Sequence, residues 1–176
     1  QEKEILTVTV YQGQEGTDFQ KGQPRQAEDL PRDGSCAAAV DIGTTTIAIQ
    51  LKGPQISDVF SALNPQRAYG ADVISRIQAA IQGNGQAMLE QIRSAIHEGI
   101  QTLLQRNHMD WSVLSQLTVA GNTTMIHLLM GYPCDGLGSA PFTPYEIKDL
   151  HFSLKDWFAE ASEKTAVHIY PGISTF

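Results

Sequence analysis

Residues Ala39-Val40-Asp41-Ile42-Gly43-Thr44-Thr45-Thr46-Ile47-Ala48-Ile49-Gln50-Leu51 constrain this chain more than any other segment. An apolar, β-favouring run ends in Asp-x-Gly. Three threonines follow, and a second β-favouring run begins. The pattern predicts a strand, a tight turn and a returning strand. Gly43 lets the backbone of the turn approach an anion closely. Three backbone N–H groups and the hydroxyls of Thr44, Thr45 and Thr46 can then surround a phosphate. Asp41 cannot itself be a phosphate ligand, because two anions repel. Its chemistry suits Mg²⁺, held directly or through water. The sequence contains no G-x-x-x-x-G-K-[ST] loop, so phosphate handling here is of another kind. Taken alone, the segment fits a plain β-hairpin equally well.

The 176 residues suit one domain plus an arm, and 41% apolar residues suffice for a real core. The formal net charge of −7 argues against nucleic acid as a partner, since phosphate backbones need a basic face. No apolar run is long enough for a membrane-spanning helix. The N-terminus has neither Met nor an apolar leader, which predicts a piece of a longer cytoplasmic protein. Cys36 and Cys134 match no zinc or iron–sulfur spacing and read as free thiols in a reducing cytoplasm. His97, His108, His127, His151 and His168 form no i,i+4 pair or His-x-Glu pattern, and read as surface or satisfied residues.

Residues 5–11 alternate apolar and hydroxyl side chains as a half-buried strand does. Residues 12–35 are polar, with Pro24 and Pro31, and read as a linker. Strands are expected at 37–42, 46–52 and 55–62, the last broken by Asn64-Pro65. Ile74, Ile77 and Ile81 form a helical stripe read as core, and Gly83-Asn84-Gly85 interrupts it. A longer helix then carries Leu89, Ile92, Ile96, Ile100, Leu103 and Leu104. A strand at 116–120 leads into a short apolar helix ending at Leu129. Residues 131–150 read as loop, and Ser153-Leu154-Lys155-Asp156 as a capping box before a helix to about residue 161. A last strand covers 166–170. This order predicts an α/β fold, a mixed sheet flanked by helices, of the ribonuclease-H-like type.

Two further junctions carry polar residues. Val119-Ala120-Gly121-Asn122-Thr123-Thr124-Met125 runs from strand to loop to helix. Free N–H groups at such a helix start bind an anion or polarise water, although an ordinary N-cap by Asn122 or Thr123 explains the residues as well. Around the other junction stand Asn64, Gln66, Tyr69, Asp72 and Arg76. Asp72 also fits simple helix-dipole stabilisation, and Arg76 an ordinary surface pair with it. A polar cluster at the C-terminal side of a sheet is nevertheless where α/β proteins place ligands.

Together these segments resemble the ATPase domain of the reductive activators of corrinoid proteins. These belong to the superfamily of acetate and sugar kinases, heat-shock chaperones and actin. The resemblance rests on Val40-Asp41-Ile42-Gly43-Thr44-Thr45-Thr46, and on Asn64-Pro65-Gln66 with Tyr69-Gly70-Ala71-Asp72-Val73-Ile74-Ser75-Arg76-Ile77. It also rests on Ala120-Gly121-Asn122-Thr123-Thr124-Met125 with His127-Leu128-Leu129, and on Pro171-Gly172-Ile173-Ser174. It covers residues 36–176. The Asp-x-Gly-Thr-Thr turn is common to the superfamily, whereas the second and third segments in combination are much more specific.

The resemblance implies that residues 1–35 are a linker arm and 36–176 the first ribonuclease-H-like lobe of an ATPase. It implies a second lobe and an N-terminal ferredoxin domain with a [2Fe–2S] cluster, both outside this chain. The activity implied is ATP-dependent reduction of Co(II) corrinoid to Co(I) on a corrinoid protein or methyltransferase. Asp41 would orient Mg²⁺, while Gly43, Thr44, Thr45 and Thr46 would face the phosphates of ATP. Gly121, Asn122, Thr123 and Thr124 would line the cleft opposite, with Asn122 and Asp41 nearest the chemistry. Asn64, Gln66, Tyr69, Asp72 and Arg76 would border the cleft. The isolated lobe is expected to be inactive, and its uncovered face could support a homodimer. Two other readings remain: an activator ATPase of the 2-hydroxyacyl-CoA dehydratase type, and a non-enzymatic chaperone- or actin-like docking module.

Overall fold

The computed structural model describes residues 35–172. The expected strand at 5–11 and most of the linker lie outside the described residues, as do Ile173 and Ser174. Three strands open the fold: β1 Cys36–Ile42, β2 Thr46–Gly53 and β3 Ile56–Leu63. Helices α1 Val73–Ala79 and α2 Gly85–Arg106 follow, then β4 Leu114–Gly121 and α3 Thr123–Met130. A one-turn helix α4, Asp135–Gly138, precedes β5 Leu150–Ser153 and β6 Ala166–Ile169. The strands form one mixed sheet in the order β3-β2-β1-β4-β6-β5. β1 pairs antiparallel with β2 and parallel with β4, and β4 is parallel to β6. The α/β fold expected from the sequence is the fold observed.

Strand periodicity sorts the two faces of the sheet. Ala38, Val40 and Ile42 of β1 oppose Leu51, Ile49 and Ile47 of β2, and all six are buried. Leu117 and Val119 of β4 continue this face, with Val167 and Ile169 of β6 beyond them. Against it lies α2, through Met88, Ile92, Ile96, Ile100, Leu103 and Leu104. Each such side chain contributes about 1.5–3 kcal/mol on burial. The stripe therefore outweighs the roughly 1 kcal/mol that Gly99 costs inside a helix. Gly99 is there for space: a Cβ would lie 2.5 Å from Ile49 Cδ1 and 2.8 Å from Phe60 Cδ1. The opposite face of the sheet is open and carries Ala39, Asp41, Gln50, Val59, Thr118 and His168, all half-buried or exposed.

Three expectations change. The Ile74/Ile77/Ile81 stripe is not core: Ile74 is 63% and Ile81 47% exposed, while Ile77 is buried. The inward face of α1 is centred instead on Arg76, Ile77 and Ala79. Gly83-Asn84-Gly85 interrupts the helical run as expected, at a kink where Gly83 leaves helical φ/ψ. A π turn over Ala80–Asn84 joins α1 to α2, with Gly83 at φ 99°. No helix follows Ser153. Its hydroxyl starts only a three-residue 3-10 turn, because residues 150–153 are committed to pairing with β6. That pairing makes β5 an edge strand where loop was expected.

Candidate functional site

Parallel pairing of β1 with β4 sets Asp41 beside Ala120 and Ile42 beside Gly121. Both strands therefore end together, and the β1–β2 turn meets the start of α3. Asn122 accepts the Met125 N–H at 2.9 Å through its side-chain oxygen, as an N-cap. Its amide nitrogen lies 3.5 Å from Thr44 Oγ1. Two segments separated by about 78 positions thus form one polar edge.

The turn is held from beneath. Gly43 donates its N–H to the Thr46 carbonyl at 2.9 Å. The Asn64 side chain donates to the Gly43 carbonyl at 2.9 Å, and the Asn64 N–H to the Thr45 carbonyl at 2.9 Å. Arg76 Nη2 donates to the Thr44 carbonyl at 2.5 Å. All four carbonyls of the turn are thereby occupied. In a trans peptide the C=O and the following N–H point opposite ways. The N–H groups of Thr44, Thr45 and Thr46 therefore point away from Asn64 and Arg76. Thr45 and Thr46 are exposed, as is Asp41 at the end of β1. The turn thus offers outward N–H donors, hydroxyls and one carboxylate, a set that fits an anion with a partly hydrated divalent cation. Gly43 is required sterically, because a Cβ would stand 2.8 Å from the Thr46 carbonyl oxygen.

Asn64, Gln66 and Arg76 lie under this turn, fully buried. Asn64 accepts the Gln66 N–H at 3.0 Å, and Gln66 Nε2 donates to the Met88 carbonyl at 3.0 Å. Arg76 also donates to the Gly70 carbonyl at 3.0 Å, and its Nη1 lies 3.3 Å from Met125 Sδ. It is no surface partner of Asp72. Burial pushes its pKa down, nearby Arg67 acts in the same sense, and Asp72 opposes them. Asp72 itself is an exposed N-cap, accepting from the N–H and hydroxyl of Ser75. Those bonds hold its carboxyl below the ordinary range. Tyr69 is half-buried at the end of a 3-10 turn over Pro65–Tyr69.

At the β4–α3 junction, Gly121 and Asn122 remain partly exposed, while Thr123 and Thr124 are buried. The Thr124 hydroxyl has no hydrogen-bond partner, and Thr123 Oγ1 lies within 2.9 Å of where a Cβ on Gly172 would stand.

A family model described as the RACo middle region matches residues 36–176. The chain belongs to that family. Its sequence is 35% identical over 111 residues to the corrinoid activation enzyme RamQ of Eubacterium limosum, covering 59% of this chain and 18% of that protein. Its structure matches a reductive activator for corrinoid, iron-sulfur protein with a TM-score of 0.77 at 27% identity, covering 83% of this chain. The chain spans 24% of that activator's length. The RACo middle region therefore corresponds to a minor part of each relative.

Two features of this RACo middle region were not legible in the sequence. His127 is buried, with Nδ1 2.8 Å from the Thr123 carbonyl, while Nε2 accepts the Tyr145 N–H at 3.0 Å. This fixes a neutral ring that clasps α3 to residues 145–147. Asp149, His151 and His168 also converge, although no sequence spacing joins them. The cysteines do not supply a cluster. Cys36 Sγ faces Met109 Sδ at 3.9 Å, and Cys134 Sγ donates to the Tyr132 carbonyl at 3.7 Å. A four-thiolate cluster needs more than the two cysteines present. Among the described residues, no helix is long and apolar enough to cross a membrane.

Proposed function

We propose that this chain supplies the first phosphate loop and one wall of the nucleotide cleft in an ATP-dependent reductive activator of corrinoid proteins. The observation that carries the reading is the meeting of the Thr44 turn with the Asn122 helix start, at the common end of β1 and β4. The corrinoid-related names of the two relatives support the substrate class.

In this reading the outward N–H groups and hydroxyls of Thr44, Thr45 and Thr46 face the phosphates of ATP. Asp41 orients Mg²⁺ through water, and Asn122 lines the opposite edge beside the reacting phosphate. Asn64 and Arg76 touch no nucleotide; they fix the carbonyl side of the turn so that its donors are aimed before ATP arrives. In this reading a [2Fe–2S] cluster held elsewhere in the whole protein would supply the electron; the two cysteines of this chain are too few to hold one. One electron converts Co(II) corrinoid on the partner protein to Co(I). ATP can drive this uphill step only if its binding changes the relative affinity for two states of the partner, which closure of a second lobe over the nucleotide would accomplish.

The test is ATP-dependent Co(I) formation by the whole activator, followed by visible absorption of a corrinoid partner. Asp41→Asn should abolish the dependence on ATP while the partner still binds. Partner binding indifferent to ATP, together with full activity of Asp41→Ala, would assign a docking role instead. The 176-residue chain by itself should hydrolyse ATP far more slowly than about one per second, the lower end of ordinary turnover.

A further inference from the structure

The open face of the sheet carries a three-residue cluster independent of the phosphate turn. β5 and β6 pair antiparallel with His151 directly opposite His168. Directly opposed residues project from the same face. Asp149, just before β5, reaches the same pair. A single carboxylate oxygen of Asp149 lies 3.2 Å from His151 Nε2 and 3.5 Å from His168 Nε2. All three ligand atoms fall within 4.8 Å of one another. His168 Nε2 is buried and has no hydrogen-bond partner among the described residues. The two imidazoles stack with centroids 4.2 Å apart and planes 19° from parallel. Tyr170 covers the outer side of His168, with ring centroids 4.5 Å apart.

This arrangement gathers two imidazole nitrogens and one carboxylate oxygen within 4.8 Å of one another. A divalent ion satisfies all three donors at once. We propose that Asp149, His151 and His168 form a binding site for a divalent transition-metal ion of the zinc class. Two nitrogens and one oxygen match the donor preference of Zn²⁺ and leave a fourth position for water or an outside ligand. Mg²⁺ and Ca²⁺, which prefer oxygen ligands, match it poorly. The bound ion joins edge strand β5 to β6. It also secures the segment whose Tyr145 is held by His127 and whose Ile147 carbonyl accepts the Gly172 N–H at 2.9 Å.

The 176-residue chain, stripped with a chelator, is titrated with Zn²⁺ by calorimetry and with Co²⁺ as a visible-absorption probe. One ion per chain is expected, with intense four-coordinate bands for Co²⁺ and a rise in melting temperature with added Zn²⁺. His168→Gln and Asp149→Asn should each weaken binding at least about tenfold. His151 is exposed, so His151→Ala should fold normally and still lose the metal-induced rise. Absence of saturable 1:1 binding would overturn the proposal. So would binding that survives undiminished in the His151→Ala chain, because the ion would then lie elsewhere.

Discussion

Arg76 reaches across α1 to place Nη2 2.5 Å from the Thr44 carbonyl oxygen. A fully buried guanidinium is thereby committed to the back of an exposed turn. It meets the Gly70 and Thr44 carbonyls and the Met125 sulfur, with no carboxylate in contact among the described residues. Charge-assisted bonds of this kind are stronger than neutral ones.

Arg76→Ala should therefore cost about 2–4 kcal/mol, because two partly buried carbonyls lose their donors and a cavity opens. Arg76→Lys should recover part of that, since an ammonium cannot span three acceptors in a planar fork. Urea denaturation of the two variants checks the order. Stability of Arg76→Ala equal to the parent would remove the anchoring role.

Asn122 separates capping from bridging. Asn122→Ala should lose about 1 kcal/mol through the missing cap. Asn122→Asp keeps the acceptor for the Met125 N–H and should stay near parental stability. It also sets an anion 3.5 Å from Thr44 Oγ1, where Asn122 now places an amide. In the whole activator, ATP affinity should fall more for Asn122→Asp than for Asn122→Ala. Nucleotide titration of both decides this, and the reverse order would count against a phosphate at this edge.

Gly99 fixes how closely α2 approaches the sheet. Gly99→Ala puts a Cβ 2.5 Å from Ile49 Cδ1 and should destabilise by about 1–3 kcal/mol through overpacking. This exceeds the gain of roughly 1 kcal/mol expected from helix propensity. A melting-temperature increase in this variant would show that the helix can shift without cost.

His127 makes stability depend on pH. Burial lowers its pKa, while the Thr123 carbonyl and the charge of Glu146 oppose the shift. The unfolded chain then binds the proton more readily than the folded one. Stability from this group is complete above the ordinary value of about 6.5 and declines as pH falls below it, until the folded ring also protonates. Protonated Nε2 would also lose the Tyr145 N–H as a donor partner. Denaturant midpoints at pH 7.5 and pH 5.5 should differ more for the parent than for His127→Gln, whose side chain does not titrate. Equal pH dependence in both would clear His127 of the effect.

Much of the fold was legible because strand and helix periodicities are local. The alternating runs at 36–42, 46–53 and 56–63 show which side chains share a face, and α2 shows its buried stripe, before any partner is known. The Asp41–Thr46 turn was equally visible as a strand–turn–strand, although alone it fitted a plain β-hairpin as well. Only the tertiary structure decided what stands behind it. Asn64 and Arg76 read as cleft residues or surface charges, yet they are buried braces for the Gly43 and Thr44 carbonyls. Sequence shows that a residue is polar; it cannot show which distant carbonyl needs a donor. Edge strand β5 was missed for the same reason, because four residues carry too little pattern and become a strand only by pairing with β6. That pairing also brings His151 to His168, so the sheet register, not any spacing along the chain, creates the Asp149–His151–His168 cluster.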